Sequence, residues 1–294
     1  MEEESEVTVI LVAPSPRGLP QESVRVDLST RYNRRALSDS DERDIEVVWQ
    51  DRSRGNPRIF DAPKFRLSGA RLDSAGLLRI RLGLTGYRDY LGTNLAPGHK
   101  PAHLRTWGLT TCDDPHAYLA DPLGVGAVLC ARDDRLVLLR RSHSVAEAPG
   151  LLDVPGGHPE PLEVSNDASM DKLCAEDLQP ELVVQEIFHS VLAEIRDEVN
   201  LPIHCLNTPC LMGIVRNWTS MGRPSAEFFV RCDLSSEEIL QRYQQGGVEA
   251  HESTDIMFID RELGLTLQND REIWQQLCPS AKGAMLLFAE LQPK

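Results

Sequence analysis

The sequence predicts an α/β protein: a helix, mixed sheet, helix sandwich over residues 116–294, preceded by a smaller α+β domain over residues 1–115. Three observations carry this. After residue 116, apolar runs of strand length alternate with helical patterns, the order that buries a sheet between helices. From 95 to 115, Pro97, Gly98, Pro101, Gly108 and Pro115 interrupt any apolar period and mark a joint. Beyond it, the run EIFHSVLAEIRDEVNL from Glu186 to Leu201 joins an apolar stripe to a cluster of acids.

The chain has 294 residues, 41% of them hydrophobic and 26% charged, which suits a fully packed core. Its net charge of −14 argues against nucleic acid and acidic membranes as partners. Seven cysteines without a C-x-x-C pair argue against a disulfide framework or a zinc site, and Cys205 and Cys210 beside His204 read as ordinary apolar residues. The start, MEEESEV, lacks the positive charge of a secretory signal, and no apolar run is long enough to span a membrane. The expected compartment is the cytoplasm, with the nucleus as a second.

In chain order, VTVILV at 7–12 predicts a strand, and DERDIEVVWQD after Ser40 a capped helix with Ile45, Val48 and Trp49 inward. RIFDAPKFRL, broken by Pro63, and LLRIRLGL predict two more strands. TGYRDYLGTN, bracketed by Gly86 and Gly92, reads either as a plain turn or as a base and sugar pocket using Tyr87, Arg88, Asp89, Tyr90, Thr93 and Asn94. GVGAVLC and RLVLLRRS form a strand pair, followed by the glycine loop APGLLDVPGGHPEP and an acidic, aperiodic insertion at 162–179.

Val184, Ile187, Phe188, Val191, Leu192, Ile195 and Val199 then recur at helical spacing, ending at Asn200 before Pro202. LMGIV, AEFFVRC and IMFID are strands, EEILQRY is a helix capped by Ser235 or Ser236, and SAKGAMLLFAEL is a closing helix. On the 184–199 helix, at about 100° per residue, Glu198 lies roughly 40° to one side of Glu194 and Asp197 roughly 60° to the other. Glu186 points the same way. Carboxylates so crowded repel one another, and a divalent cation relieves that repulsion.

These residues resemble the box of the Nudix hydrolases, G-x5-E-x7-R-E-U-x-E-E-x-G-U with U aliphatic. Gly156 and Gly157 supply its glycine, and AEIRDEVNL from Ala193 to Leu201 matches its end. Ala193 stands in place of the arginine, Asp197 of a glutamate and Asn200 of the final glycine; the loop after Gly157 is much longer, and Glu186 is one residue out of register. With DAPKFRL, YRDYLGTN, YLADPLGVGA, EAHEST and CPSAKGA, the likeness extends over nearly the whole chain, toward the vertebrate family members acting on UDP-sugars.

The resemblance implies Mg²⁺-dependent hydrolysis of UDP-glucose and UDP-galactose to UMP and glucose 1-phosphate or galactose 1-phosphate. Its small-molecule substrate is a nucleotide sugar. Glu194 and Glu198 would ligate the metal, with Asp197 beside them or on a metal-bound water. Glu252 would take the proton of the attacking water, with Glu249 its rival. Phosphate oxygens call for Arg140, Arg141 and Arg216, with Lys64 and Arg66 as weaker contributors from the first domain, where Phe65 is a further substrate contact. Lys282 near the last helix is weaker still, and His158 reads as a loop residue. Two alternatives stand beside this: a nucleotide-sugar binding protein without turnover, and a hydrolase of another nucleoside diphosphate derivative such as ADP-ribose.

Overall fold

The computed structural model describes residues 5–55, 59–143, 145, 147–165 and 172–292. The MEEE start and residues 166–171 of the expected insertion lie outside the described residues.

In chain order the elements are β1 (Val7–Val12), β2 (Val24–Leu28), α1 (Asp39–Gly55), β3 (Pro63–Leu72), β4 (Leu78–Gly86), α2 (Tyr87–Gly92) and α3 (Lys100–Cys112). There follow β5 (Gly124–Cys130), β6 (Arg135–Arg141), β7 (Leu152–Asp153), β8 (Gly156–Gly157), α4 (Pro180–Val199), β9 (Cys210–Asn217) and β10 (Arg223–Arg231). The chain closes with α5 (Ser236–Gln244), β11 (Ser253–Asp260), α6 (Arg261–Gly264), α7 (Arg271–Trp274) and α8 (Pro279–Leu291).

The large sheet runs β1-β9-β10-β5-β6-β11, and β5–β10 is its parallel pair. β5 and β6 touch only at Cys130↔Leu136. Beyond that the strands part, β8 pairs with β5 and β7 with β6, so the glycine loop enters the sheet. Side chains alternate across a strand, and β10 shows what each face carries. Phe228 packs edge-on against Phe188 of α4, while its neighbour Phe229 stacks on Phe288 of α8. The two helices therefore cover opposite faces, and the sandwich follows.

The smaller sheet, β2-β4-β3, packs with α4 through its apolar face, and Phe65, Leu67, Ile80 and Leu82 share one buried cluster with the large sheet. Strand β1, grouped by sequence with the first domain, is hydrogen-bonded to β9 in the large sheet. Among the described residues no helix is long and apolar enough to cross a membrane.

Two loops of the sequence reading are helices. TGYRDYLGTN winds into α2 after β4, and the 95–115 joint contains α3. Pro101 sits in the first turn of α3, where its missing N–H costs nothing, and Gly108 serves close packing: a Cβ there would lie 2.4 Å from the Asp114 carbonyl oxygen. Two caps also shift. Ser38 Oγ accepts from the Asp41 N–H at the start of α1, and Cys278 rather than Ser280 precedes α8. Ile45 is buried as expected, whereas Val48 and Trp49 are half-buried.

The chain between α3 and β5 is held by a buried polar cluster. Arg66 donates to the carbonyls of Leu119 (3.0 Å), Tyr32 (2.7 Å) and His116 (2.6 Å). Asp121, fully buried, meets His116 Nδ1 at 2.7 Å, Arg216 Nη1 at 3.1 Å and the Asn94 amide at 2.8 Å. Burial alone would raise the Asp121 carboxyl. The hydrogen bond and charge of His116, with the charges of Arg216 and Arg66, outweigh it and hold the group below the usual carboxylate range. Asp121→Asn should therefore lower the unfolding free energy by about 3 kcal/mol at neutral pH, measured by urea titration. Because the folded pKa is depressed, that contribution is complete above the unfolded value of about 3.9 and disappears as pH falls through the folded one, so mutant and wild type should converge in acid.

Candidate active site

Helix α4 is set by burial before any chemistry. Ile187, Val191 and Ile195 are wholly buried, each worth roughly 1.5–3 kcal/mol. That exceeds the cost of keeping three glutamates on the adjoining face. Asn200 ends the helix in the left-handed region (φ 61°), a conformation Asn tolerates, and its amide donates to the Arg242 carbonyl at 2.8 Å.

The glycine loop lies along that acidic face. Gly156 N–H donates to Glu198 Oε2 (3.1 Å), His158 N–H to Glu194 Oε1 (3.3 Å) and Glu160 N–H to Glu186 Oε1 (2.9 Å). Alternate N–H groups of an extended chain point one way about every 6.6 Å, and four helical residues rise about 6 Å, so the first two bonds are in step. Space requires the first glycine, and the second leaves room for the end of Glu194. A Cβ at Gly156 would meet the Val125 carbonyl oxygen at 2.4 Å, and one at Gly157 would meet Glu194 Oε1 at 1.9 Å.

Above this contact opens a cavity of about 490 Å³. Glu194, Glu249, Glu252, Asp153 and Glu160 line it, with Arg141, Lys64 and Arg223 as cations and Asn217, Ser220, Ser225 and Ser280 as uncharged polar groups. Glu198 sits behind the loop. Burial raises the Glu198 carboxyl well above its usual value, and the charges of Glu194, Asp153 and Glu252 add to this. Burial and the charge of Glu249 raise Glu194 to about 7; burial raises Glu186 to about 7 and, with the charge of Glu252, also raises Glu249. Burial and the charges of Lys64 and Arg223 lower the His158 ring well below its ordinary value.

Acids that push one another's pKa upward are stabilised as anions by a cation, and an all-oxygen donor set fits a hard divalent ion. Glu194 and Glu198, with Glu249 and Glu252, are the residues that would hold it. Among the described residues no three His, Cys, Asp or Glu side chains are already gathered as a metal cluster. The donor chemistry fits, with Glu194, Glu249 and Glu252 lining the cavity and Glu198 behind the loop.

Several residues expected at the site lie elsewhere. Asp197, about 100° around the helix from Glu198, does not line the cavity and pairs with Arg196 Nε at 2.7 Å. Arg140 donates to the Gly150 carbonyl and Gln276, and Arg216 belongs to the Asp121 cluster. Asp89 is held by Arg34 at 2.9 Å, Arg88 faces Glu46 and Asp61, and Tyr87 packs edge-on against Trp49. Thr93, Asn94 and Phe65 are buried as structure. Lys282 pairs with Glu6. Lys64, Arg141, Gly156, Gly157, Glu194 and Glu252 do line the cavity.

Sequence reasoning missed Glu147, Asp153, Glu160 and Arg223. Asp153, two residues before Pro155 in the glycine loop, had a local signal; Arg223, at the start of an apolar strand, had none.

Over 291 residues the chain is 52% identical to the uridine diphosphate glucose pyrophosphatase NUDT22 of Homo sapiens, covering 98% of this chain and 93% of that one. The Bos taurus protein of the same name is also 52% identical, covering 98% of each. Nudix hydrolase 9 of Arabidopsis thaliana is 34% identical over 84% of this chain and 81% of its own. The chain belongs to the Nudix hydrolases. No family model matches it. Among solved structures, the NUDIX domain of Shewanella oneidensis NrtR complexed with ADP ribose is 17% identical, covering 63% of this chain and 96% of that one, with a TM-score of 0.34.

Nudix hydrolases generally use divalent metal ions. In this member Ala193 stands where the arginine of the box would be, and loop N–H groups hold Glu194 and Glu198 instead. Gly157→Ala should therefore preserve the fold, since only the end of a glutamate must move. Mn²⁺ affinity, measured by electron paramagnetic resonance, should fall about tenfold or more with the melting temperature nearly unchanged.

Proposed function

We infer that this Nudix hydrolase is a Mg²⁺-dependent diphosphatase of UDP-glucose and UDP-galactose, releasing UMP and the hexose 1-phosphate. The observation that carries the reading is 52% identity, over 98% of this chain, to proteins named uridine diphosphate glucose pyrophosphatase. The acid-lined cavity supports it, because a diphosphate repels nucleophiles and needs both charge neutralisation and a proton acceptor.

In hydrolysis, water adds across the P–O–P linkage: one phosphorus gains the hydroxyl and the other phosphate departs as a monoester. Bound Mg²⁺ would screen the diphosphate charge and make the attacking water more acidic. Glu194 and Glu198, fixed by the His158 and Gly156 N–H groups, would hold that ion. Glu252 and Glu249 face the same cavity, and neither side chain has a hydrogen-bond donor among the described residues, so each is free to receive the proton of water. We assign that task to Glu252. Arg141, tied to Asp153 at 2.9 Å and to the Glu147 carbonyl at 3.1 Å, presents a fixed positive charge to the phosphates.

Purified protein with Mg²⁺ and UDP-glucose should release UMP and glucose 1-phosphate in equal amounts; absence of UMP would overturn the assignment. Glu198→Gln keeps an oxygen for the Gly156 N–H but loses the charge, and should reduce kcat on the order of a thousandfold. Asp197→Asn, outside the cavity lining, should remain close to the wild-type rate.

A further inference from the structure

The cations lining the cavity are not equivalent. Arg141 is committed to Asp153 at 2.9 Å, and Lys64 to Glu160 at 3.2 Å. Arg223 differs. Its Nε is buried with no hydrogen-bond partner among the described residues. The nearest carboxylate, Glu147, stands 4.0 Å from that nitrogen and already accepts from Tyr90 Oη and Ser220 Oγ, each at 2.9 Å. Arg223 lines the cavity and has no close carboxylate partner, so its guanidinium is prepared for an incoming acceptor.

Its position indicates which acceptor. Arg223 begins β10, beside the parallel strand β5, and Ser225 is in register with Gly124. A Cβ at Gly124 would lie 2.7 Å from Arg223 Nη1 and 3.5 Å from the Gly157 carbonyl oxygen. One at Gly157 would lie 1.9 Å from Glu194 Oε1. The guanidinium and the helix acid thus flank the same glycine pair, so an anion bridging a cation at Glu194 to Arg223 must carry oxygens on both sides. A diphosphate does.

We propose that Arg223 is the anion-binding residue of the cavity, taking non-bridging oxygens of the diphosphate opposite the acids of α4. This rests on the diphosphatase reading, and the glycine at 124 is part of it, since a side chain there would displace the guanidinium.

The test uses the full chain with Mg²⁺ and imidodiphosphate, a non-hydrolysable diphosphate, measured by calorimetry. Arg223→Gln should weaken binding about tenfold to a hundredfold, with Arg223→Lys intermediate because a point charge replaces a fork. Gly124→Ala, which retains the arginine but moves it, should weaken binding in the same direction. If Arg223→Gln does not fold, the other two variants decide. Unchanged affinity in the folded variants, a lowered melting temperature with unchanged affinity, or no binding by the wild type each overturns the proposal. These isotherms need no turnover. Wild-type UMP release from UDP-glucose tests the substrate reading separately.

Discussion

The contact on which the rest of the site depends is the one between three backbone N–H groups and three glutamates. Gly156, His158 and Glu160 donate to Glu198, Glu194 and Glu186 across the seam between the glycine loop and α4. Without it, neither partner would keep its place. The loop is irregular backbone whose polar groups must be satisfied where they are buried, and the glutamates are buried acids that repel one another. Each removes the other's difficulty in part. The remainder is visible as the Glu194 carboxyl raised to about 7 and the Glu198 carboxyl pushed well above its usual value, mainly by burial.

This seam exists because the sheet is split. β5 and β6 separate beyond Cys130↔Leu136, and β7 and β8 fill the opening with only two residues each. Gly156 brings the loop so close to β5 that no Cβ fits, and Gly157 brings it against the Glu194 carboxylate. The opposite wall of the cavity is of another character. There Arg223, Ser220, Asn217 and Glu147 bring positive charge and hydrogen-bonding groups, while Glu227 lies wholly buried under Gly126, raised by burial to about 7. Negative charge on α4 and positive charge at the start of β10 suit a ligand that binds metal and guanidinium together.

The box departs from the family pattern, yet the helix keeps its glutamates against the glycine loop. An arginine that would steer a glutamate is absent, and peptide dipoles do the steering. Asn200 adopts the left-handed conformation that the glycine of the box would provide. Asp197, although acidic, is paired with Arg196, and the acids that line the cavity come from α4 and from the segment before β11 as well as from the glycine loop.

Local pattern sufficed for much of this. The period of α4, its stop at Asn200, the strands β5, β6, β9 and β10, and the pairing of Glu194 with Glu198 follow from side-chain spacing, because 3.6-residue and two-residue repeats act over one or two turns of chain. Helices α2 and α3 escaped it, since their glycines and prolines serve packing and first-turn positions that only neighbours reveal. The tyrosine segment leaves turn and pocket both open in the sequence for the same reason: Asp89, Thr93 and Asn94 have partners 27 to 55 residues away. The sequence by itself determined the layered α/β class, the acid helix and its family. Only the tertiary structure decided which acids and which arginine share one cavity, because that depends on strands far apart in the chain being brought to the same edge of the split sheet.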